Sequence, residues 1–354
     1  MEKIHVDLGP KAYDIEIAAG LLDSIGTKVK ALVPKAKKAA IISDTNVAPL
    51  YAGRLEASLA AAGLSSCLVT IPAGEQSKNM TMLTTVLEEL AEAGITRSDV
   101  LLTLGGGVVG DLGGFTAASF MRGIPFIQIP TSLLAQIDSS VGGKVAVDLK
   151  AGKNLAGAFY QPKAVFIDTE LLRTLPVHFL HDGLAEAIKY GCIKDAELFA
   201  RLASFADDED LLAHIDGVVA TCCAIKARIV EEDEFDTGLR MLLNFGHTMG
   251  HAIEQHYGYS TFTHGEGVAI GMYQLTLRTE ELGLTPAGTA AKLKAVLEKY
   301  QLPTEPGVDK RLLLATMGKD KKKNGSSITI IILEALGQGA LLKLDWQQVP
   351  EYLG

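Results

Sequence analysis

The stretch from Gly105 to Asn154 constrains this chain most. It reads GGGVVGDLGGFTAASFMRGIPFIQIPTSLLAQIDSSVGGKVAVDLKAGKN. The run before it, Asp99–Leu104 (DVLLTL), is short, apolar and Thr-containing, and predicts a buried strand. Gly105, Gly106, Gly107, Gly110, Gly113 and Gly114 follow, several of them inside an apolar, helix-like segment. A strand that ends in glycines and opens a helix lets a phosphate approach main-chain N–H groups at the helix N-terminus. Gly105, Gly107 and Gly110 match G-x-G-x-x-G in that setting. The same glycines also suit tight helix-on-sheet packing, and the pattern alone does not choose. Thr131 and Ser132 then cap the next strand, Pro125–Pro130, and Asp138, Lys144, Lys153 and Asn154 sit in a polar, glycine-broken stretch. A purely structural loop has no need for that density of polar side chains beside a glycine cradle.

Upstream, Ile4–Leu8 and Tyr13–Ile17 alternate polar and apolar around Gly9-Pro10, which predicts a hairpin. A helix is expected over Leu21–Val33 and a strand over Ala39–Ser43, followed by Asp44, Thr45 and Asn46. Open α/β sheets place ligands at such strand ends, so Asp44 can hydrogen-bond a ribose. It can equally cap the following helix. A helix near Val47–Ala62, a strand at Ser66–Ile71, the loop PAGEQSK and a helix to Ala93 continue the alternation. The alternation runs to a last strand at Ala164–Asp168 and predicts a mostly parallel sheet covered on both faces.

After Thr174-Leu175-Pro176 the patterns turn helical: His181–Lys194, Leu211–Glu231, Met241–His256, Gly265–Glu281 and Ala287–Tyr300. Ile328–Leu333 and Ala340–Leu344 flank Gly337-Gln338-Gly339 and predict a hairpin. The division expected is a first domain over 1–174 and a second over 175–354. Length permits two sizeable cores, since the chain has 354 residues. A net charge of -9 argues against nonspecific binding to nucleic acid. No apolar run reaches membrane-spanning length, and the opening MEKIHVDLG lacks a signal-peptide core. The 4 cysteines include no C-x-x-C spacing and suit reduced thiols, so a cytoplasmic location is expected.

The second half carries NFGHTMGH, with His247 and His251 at i, i+4 on one helix face, and THGEG, with His264 at a turn opening a helix. Neutral imidazoles suit zinc-like ions, and a catalytic site needs about three protein ligands and an open position. Glu186 can supply a carboxylate, since it lies on a mostly apolar helix where an unpaired charge is costly. It can also simply pair with Lys189 at i, i+3. Spacing alone favours His247 and His251 as the ligand pair. Cations accompany each motif: Arg122, Lys144, Lys153, Lys189, Lys226 and Arg240, with Lys319, Lys321, Lys322 and Lys323 in a late loop. If they converge, the ligand beyond the cofactor is a small polyanion, such as a sugar phosphate that also bears a carboxylate.

GEQSK, the whole run GGGVVGDLGGFTAASFMRGIPFIQIPTSLLAQIDSSVGGK, GKNLAGAFYQP, LPVHFLHDGLAEAIKYG, IKARIVEEDE, GLRMLLNFGHTMGHAIE, THGEGVAIGM and DKK cover the chain nearly end to end. Together they make it resemble the dehydroquinate synthase family of sugar-phosphate cyclases. The resemblance implies a Rossmann-like, NAD-binding α/β domain, a mainly α-helical metal-binding domain and a homodimer. It implies Glu186, His247 and His264 as ligands of a divalent Zn or Co ion, with His251 assigned instead to substrate phosphate and proton transfer. It implies NAD contacts from Asp44, Asn46, Glu75, Lys78, Gly106, Gly107, Val108, Val109, Gly110, Asp111, Thr131, Ser132, Asp138, Lys144, Lys153, Leu171, Leu172, Arg173 and Thr174. Asp138, Lys144 and Lys189 match residues around the reacting hydroxyls. Asn154, Asn244, His251 and either Lys321 or Lys322 match phosphate contacts. Lys226 and Arg240 match a carboxylate clamp, and Arg122 matches a residue supplied to the neighbouring subunit's site. The implied reaction converts 3-deoxy-D-arabino-heptulosonate 7-phosphate to 3-dehydroquinate and phosphate, the second step of the shikimate pathway. It proceeds by transient oxidation, phosphate elimination, re-reduction, ring opening and intramolecular aldol closure. Two rivals share the domains: a sister cyclase making an inosose or valiolone, and a metal-dependent polyol dehydrogenase.

Overall fold

The computed structural model describes residues 1–258, 260–317 and 327–353. It resolves into two units, one of residues 1–175 with 215–235, the other of residues 176–214 with 236–354. The first unit is built on a 7-stranded sheet. Its strands are β1 (Glu2–Val6), β2 (Tyr13–Ile17), β3 (Lys38–Asp44), β4 (Ser65–Ile71), β5 (Val100–Gly105), β6 (Phe126–Pro130) and β9 (Ala164–Ile167). They lie in the order β1-β2-β9-β6-β5-β3-β4. Only the β1–β2 hairpin is antiparallel; the other pairings are parallel. β5 is buried along its whole length, as a central parallel strand read from a continuous apolar run should be.

Both faces are covered. α1 (Ile25–Leu32) and α2 (Ala48–Ala61) pack Ile25, Val29, Leu55 and Leu59 against one face. α3 (Met80–Glu92) and α4 (Gly107–Ser119) pack Leu83, Val86, Leu90, Val109 and Leu112 against the other. The alternating segment 144–159, read from sequence as a polar loop, is a separate antiparallel hairpin of β7 (Lys144–Leu149) and β8 (Gly152–Phe159). Its Val145 and Val147 join the core under α4. The chain order reverses between β3 and β5. β4 lies on one side of β3 and β5 on the other, so the carboxyl ends of β3 and β5 flank a topological switch point.

The helical segment near Leu211–Glu231 needs correction. It splits into α7 (Asp208–Ala213) and α8 (Ile215–Glu232), and α8 belongs with the sheet unit, not with the helical half. α8 packs on β1, β2 and the turn at residues 135–139. Cys223 Sγ donates to the Gln136 carbonyl at 3.2 Å, and Glu231 Oε1 accepts the Asp7 N–H at 2.7 Å. Periodicity shows that a helix buries a face but not which partner covers it, so a division at 174/175 misses this return of the chain.

The second unit holds α5 (Val177–Ile193), α6 (Ala196–Ser204), α7, α9 (His247–His256), α10 (His264–Glu281), α11 (Thr289–Lys299), α12 (Lys310–Met317) and α13 (Val349–Leu353). The expected hairpin is present as β10 (Ser327–Ala335) and β11 (Gln338–Asp345). α5 is buried at every residue from Leu180 to Ile193, which makes it the unit's central helix. Among the described residues, no helix is long and apolar enough to cross a membrane.

Candidate functional site

In the sheet unit, the candidate residues gather at the carboxyl ends of β3 and β5. Asp44 Oδ1 accepts the N–H groups of Asn46 and Val47 at 2.8 and 3.0 Å. Asp44 thus closes the turn ahead of α2 without capping it, since the N-cap position is Val47 and receives no side-chain cap; a ribose role rests on the other carboxylate oxygen. The glycines after β5 divide between the two uses left open by their pattern. A Cβ on Gly110, Gly113 or Gly114 would fall 2.7 Å from Gln128 Oε1, 2.4 Å from Thr103 Cγ2 or 2.3 Å from Val145 Cγ1. These three seat α4 against the sheet and the β7 strand. Gly106 is the extended N-cap of α4 and makes no side-chain cap. The N–H groups of the helix's first turn, from Gly107 to Val109, have no intrahelical acceptor there. Added Cβ atoms at Gly106 and Gly107 would lie 3.4 and 3.2 Å from the hydroxyls of Ser132 and Ser139. The cradle is thus lined by main chain and small hydroxyls.

A charge cluster borders it. Lys78, 6% exposed at its side chain, reaches Glu75 Oε1 at 2.9 Å and Asp111 Oδ2 at 3.3 Å. Lys153 Nζ lies 3.7 Å from the same Glu75 oxygen. Burial pushes the Asp111 carboxyl up to about 6, against the pull of Lys78. Burial opposes the Lys78 charge, but Asp111 and Glu75 outweigh it and raise its pKa. Thr131 is buried, and its N–H donates to Gly105 O at 3.0 Å; Ser132 Oγ accepts the Ala135 N–H at 3.3 Å.

Asp138 sits in a short π-helical turn, Ala135–Ser139, a geometry that often marks functional positions. Lys226 Nζ donates to its carbonyl at 2.6 Å and to its Oδ1 at 2.7 Å. Lys144 is exposed at the start of β7. Asn154, exposed on β8, has φ +57° and donates its N–H to Asp148 Oδ1 at 2.8 Å. Asn tolerates this left-handed backbone better than most residues. Met121 and Arg122 also have positive φ, 49° and 67°, in a turn that leaves the Arg122 side chain exposed.

The residues near the end of this unit fit less directly. Leu171 and Leu172 are each 1% exposed, so only their main chain can meet a cofactor. Thr174 Oγ1 hydrogen-bonds Tyr51 Oη, and Arg173 is exposed. Lys226 and Arg240, paired by the resemblance, belong to different units. Lys321 and Lys322 lie outside the described residues.

In the helical unit, three ligand atoms meet. Glu186 on α5 is fully buried; its Oε1 lies 3.5 Å from His247 Nε2 and 3.6 Å from His264 Nε2. Ligand atoms about 2.1 Å from a shared tetrahedral ion sit about 3.4 Å apart. The observed spacing therefore matches atoms arranged around a cation. Glu186 Oε2 takes a hydrogen bond from Lys189 Nζ, so the carboxylate meets a lysine on one side and imidazoles on the other. The i, i+3 pair and the ligand role coexist because a carboxylate has two oxygens.

The tautomers fit as well. His247 Nδ1 lies 3.1 Å from the Phe245 carbonyl, which makes it the donor and turns the Nε2 lone pair toward Glu186. Burial pushes His247 down to about 3, so it stays neutral, the form that binds metal. Burial opposes charge on His264 too, but Glu186 and Glu254 outweigh it and raise it to about 10. An incoming cation therefore takes the place of a proton.

His247 and His264 each open a helix, α9 and α10. The two helices meet at glycines. A Cβ on Gly271 would fall 2.0 Å from Gly246 O, and one on Gly250 3.0 Å from Gly267 C. Thr263 and Glu266 form a capping box at the start of α10. Asp182 Oδ1, one turn before Glu186 on α5, accepts the Gly265 N–H at 2.7 Å. Thus α5, α9 and α10 bring Glu186, His247 and His264 together. His251, exposed on the His247 face, falls into a second group with Glu254 and His264. The spacing rule thus ranked His251 above His264, whereas the tertiary crossing favours His264. Asn244 is exposed and Arg240 buried at 2% on the turn Leu239–Asn244. Asp182 and Glu254 were not read from sequence as site residues; the only signal was two carboxylates at otherwise buried helical positions.

Known proteins resemble the chain along its whole length. Residues 68–182 match the 3-dehydroquinate synthase N-terminal profile and residues 183–323 the C-terminal profile. The 3-dehydroquinate synthase of Clostridium acetobutylicum is 49% identical over 354 residues, spanning 100% of this chain and 99% of that protein. That of Enterococcus faecalis is 47% identical, spanning 99% of this chain and 98% of its own. A crystal structure of 2-deoxy-scyllo-inosose synthase complexed with carbaglucose-6-phosphate, NAD⁺ and Co²⁺ superposes at TM-score 0.88, with 22% identity and 99% of each chain covered. The 2-epi-5-epi-valiolone synthase of Streptomyces hygroscopicus, with NAD⁺ and Zn²⁺ bound, superposes at TM-score 0.85, with 26% identity and 96% and 95% coverage. With both profiles matched across the two units and near-half identity along the full length, the chain belongs to the 3-dehydroquinate synthase family.

Proposed function

We propose that the protein is a 3-dehydroquinate synthase, converting 3-deoxy-D-arabino-heptulosonate 7-phosphate to 3-dehydroquinate and phosphate. The observation that carries this reading is the Glu186–His247–His264 cluster around a buried carboxylate, beside Lys189 and His251, in a chain 49% identical end to end to a synthase of that name. Bound NAD supplies a hydride acceptor that is regenerated within the turnover, and a bound divalent Zn or Co ion supplies Lewis acidity.

The chain's own residues bind, orient and move protons. The amides of Gly107 to Val109 and the hydroxyls of Ser132 and Ser139 hold pyrophosphate at the start of α4. Lys78, held by Glu75 and Asp111, adds positive charge at the cradle. Lys189 donates to Glu186 Oε2, which leaves Oε1 facing the two imidazoles for a cation. Asp138 and Lys144 orient the reacting hydroxyls, with Lys226 fixing Asp138 through two hydrogen bonds. Asn154, Asn244 and His251 hold the phosphate, and an imidazole nitrogen of His251 assists proton transfer as it departs. Lys226 and Arg240 take the substrate carboxylate, a group that the inosose- and valiolone-forming reactions do not offer. Once both ends are held, aldol closure needs mainly positioning, which can contribute roughly 7–11 kcal/mol.

A homodimer in the cytoplasm completes the reading. In that dimer Arg122, on the positive-φ turn at Met121–Arg122, would serve the site of a second copy. The test is direct. Purified protein receives the heptulosonate phosphate, Zn²⁺ or Co²⁺ and a trace of NAD⁺, and both inorganic phosphate and NADH are followed. Phosphate release without NADH build-up is expected. NADH formed in proportion to substrate would make the protein a polyol dehydrogenase, and no phosphate release at all would reject the synthase.

A further inference from the structure

The sequence motifs and the comparisons leave Glu254 without a role, and its position gives it one. It lies on α9, seven residues after His247 and three after His251, so all three share one helix face. It is 5% exposed, although a carboxylate is among the side chains least often buried. Its Oε1 stands 3.7 Å from Nδ1 of His264. The other ring nitrogen of His264, Nε2, faces Glu186 Oε1 at 3.6 Å. One imidazole therefore lies between two buried carboxylates. Glu186 is on the side where an ion would sit, and Glu254 on the side away from it.

We propose that Glu254 is a positioning residue for the metal centre. It accepts the Nδ1 proton of His264, which fixes the tautomer that leaves the Nε2 lone pair for the ion. It also holds the ring plane and makes the imidazole a stronger donor. His247 gets the same service from a neutral group, the Phe245 carbonyl at 3.1 Å from its Nδ1. The two histidines are thus oriented differently, one by a carbonyl and one by a carboxylate. The difference has a geometric reason. His247 can reach a carbonyl two residues back in its own chain. The backbone around His264 is fixed by other bonds: the Thr263 carbonyl accepts the Gly267 N–H at 3.1 Å, the Thr263 N–H donates to Glu266 Oε2 at 2.8 Å, and the Gly265 N–H donates to Asp182 Oδ1 at 2.7 Å. Those bonds lock where the His264 Cα sits but leave its ring to be turned by a side chain from another helix, and Glu254 is placed to do it. Outer carboxylates of this kind are typically worth about 10–100-fold in metal affinity.

The inference rests on the metal-site reading, and three variants keep the two separable. Glu254→Ala, Glu254→Gln and His264→Ala are prepared metal-free, and Zn²⁺ and Co²⁺ affinities are measured by competition with a chromophoric chelator. The visible absorption of the Co²⁺ forms is recorded as well. Glu254→Ala should bind about 10–100-fold more weakly, with shifted Co²⁺ bands. Glu254→Gln should recover part of the affinity, because its amide oxygen still accepts from Nδ1 but carries no charge. Wild-type affinity and an unchanged Co²⁺ spectrum in Glu254→Gln and Glu254→Ala would overturn the assignment, whatever happens to thermal stability. If Glu254→Ala does not fold, Glu254→Gln decides alone: a several-fold loss supports the role and none rejects it. Should His264→Ala itself bind metal like the wild type, the metal-site reading fails instead.

Discussion

The two candidate clusters, one in each unit, handle carboxylates in opposite ways. At the cradle, Glu75 and Asp111 lie 37% and 18% exposed and share Lys78, with Lys153 close by. Acid and base nearly balance there, and attraction for an anion comes from the main-chain N–H groups that open α4. In the helical unit, Glu186 and Glu254 are buried around His264, and Lys189 pairs with Glu186 Oε2. Carboxylates held out of water in this way are costly unless a cation or a proton completes the cluster. The comparison teaches what each half awaits: the first is prepared for an anion by dipoles, the second for a cation by charge.

The comparison can be broken most sharply at His264. His264→Ala should abolish tight metal binding, and metal content near the wild-type value would remove His264 from the ligand set. In the wild type, ion binding should release a proton, because His264 is raised to about 10 in the absence of the ion. Affinity should consequently weaken as the pH is lowered.

Asp111 tests the other half. Its folded-state value of about 6 lies above the usual 3.8, so the fold favours the protonated form. The associated stability is fully present below pH 3.8 and is lost as pH rises to 6. Asp111→Asn removes this dependence. The stability difference between wild type and variant should therefore drift against the wild type across that window, by up to about 3 kcal/mol at roughly 1.4 kcal/mol per unit. Parallel denaturation curves at pH 4 and pH 7 with no such drift would mean that the carboxylate is not perturbed by burial. Arg240→Ala should weaken substrate binding by about 1.5–3 kcal/mol, as for a lost charged hydrogen-bonding partner. Unchanged KM and kcat would take it out of the carboxylate site.

The smallest effects separate the two kinds of glycine after β5. Gly113→Ala puts a methyl 2.4 Å from Thr103 Cγ2 and should lower stability by about 1–3 kcal/mol. Gly106→Ala meets nothing nearer than 3.4 Å and should leave melting almost unchanged while weakening NAD binding. Equal melting losses in both would erase the distinction between seating glycine and cradle glycine.

Much of this was legible in the chain, because the sheet unit announces itself locally. The apolar run Val100–Gly105 ends in glycines, and the strand–helix alternation along the chain predicts parallel pairing. What was not legible depended on distant partners. α8 looks like any other half-buried helix, and only its docking on β1 and β2 assigns it to the sheet unit. The β7–β8 hairpin was obscured by lysines and glycines, although VAVDL alternates. Among the histidines, spacing can see that His247 and His251 share a helix face. It cannot see that His264 arrives from a neighbouring helix. Glu254 was hidden for the same reason, since a glutamate on a helix is ordinary until an imidazole from elsewhere packs over it.

The backbone contact between α9 and α10 has a further consequence. Where Gly271 meets the Gly246 carbonyl, no side chain intervenes to cushion the crossing. The gap between the two helix openings is therefore gauged by main-chain atoms, which cannot shrink or swell with a change of rotamer. Repacking the surrounding hydrophobic residues should leave the His247–His264 separation as it is, whereas a single methyl at the crossing would widen it. Any drift in ion preference among relatives then has to come from the ligating groups and the acids behind them, with the scaffold acting as a fixed ruler.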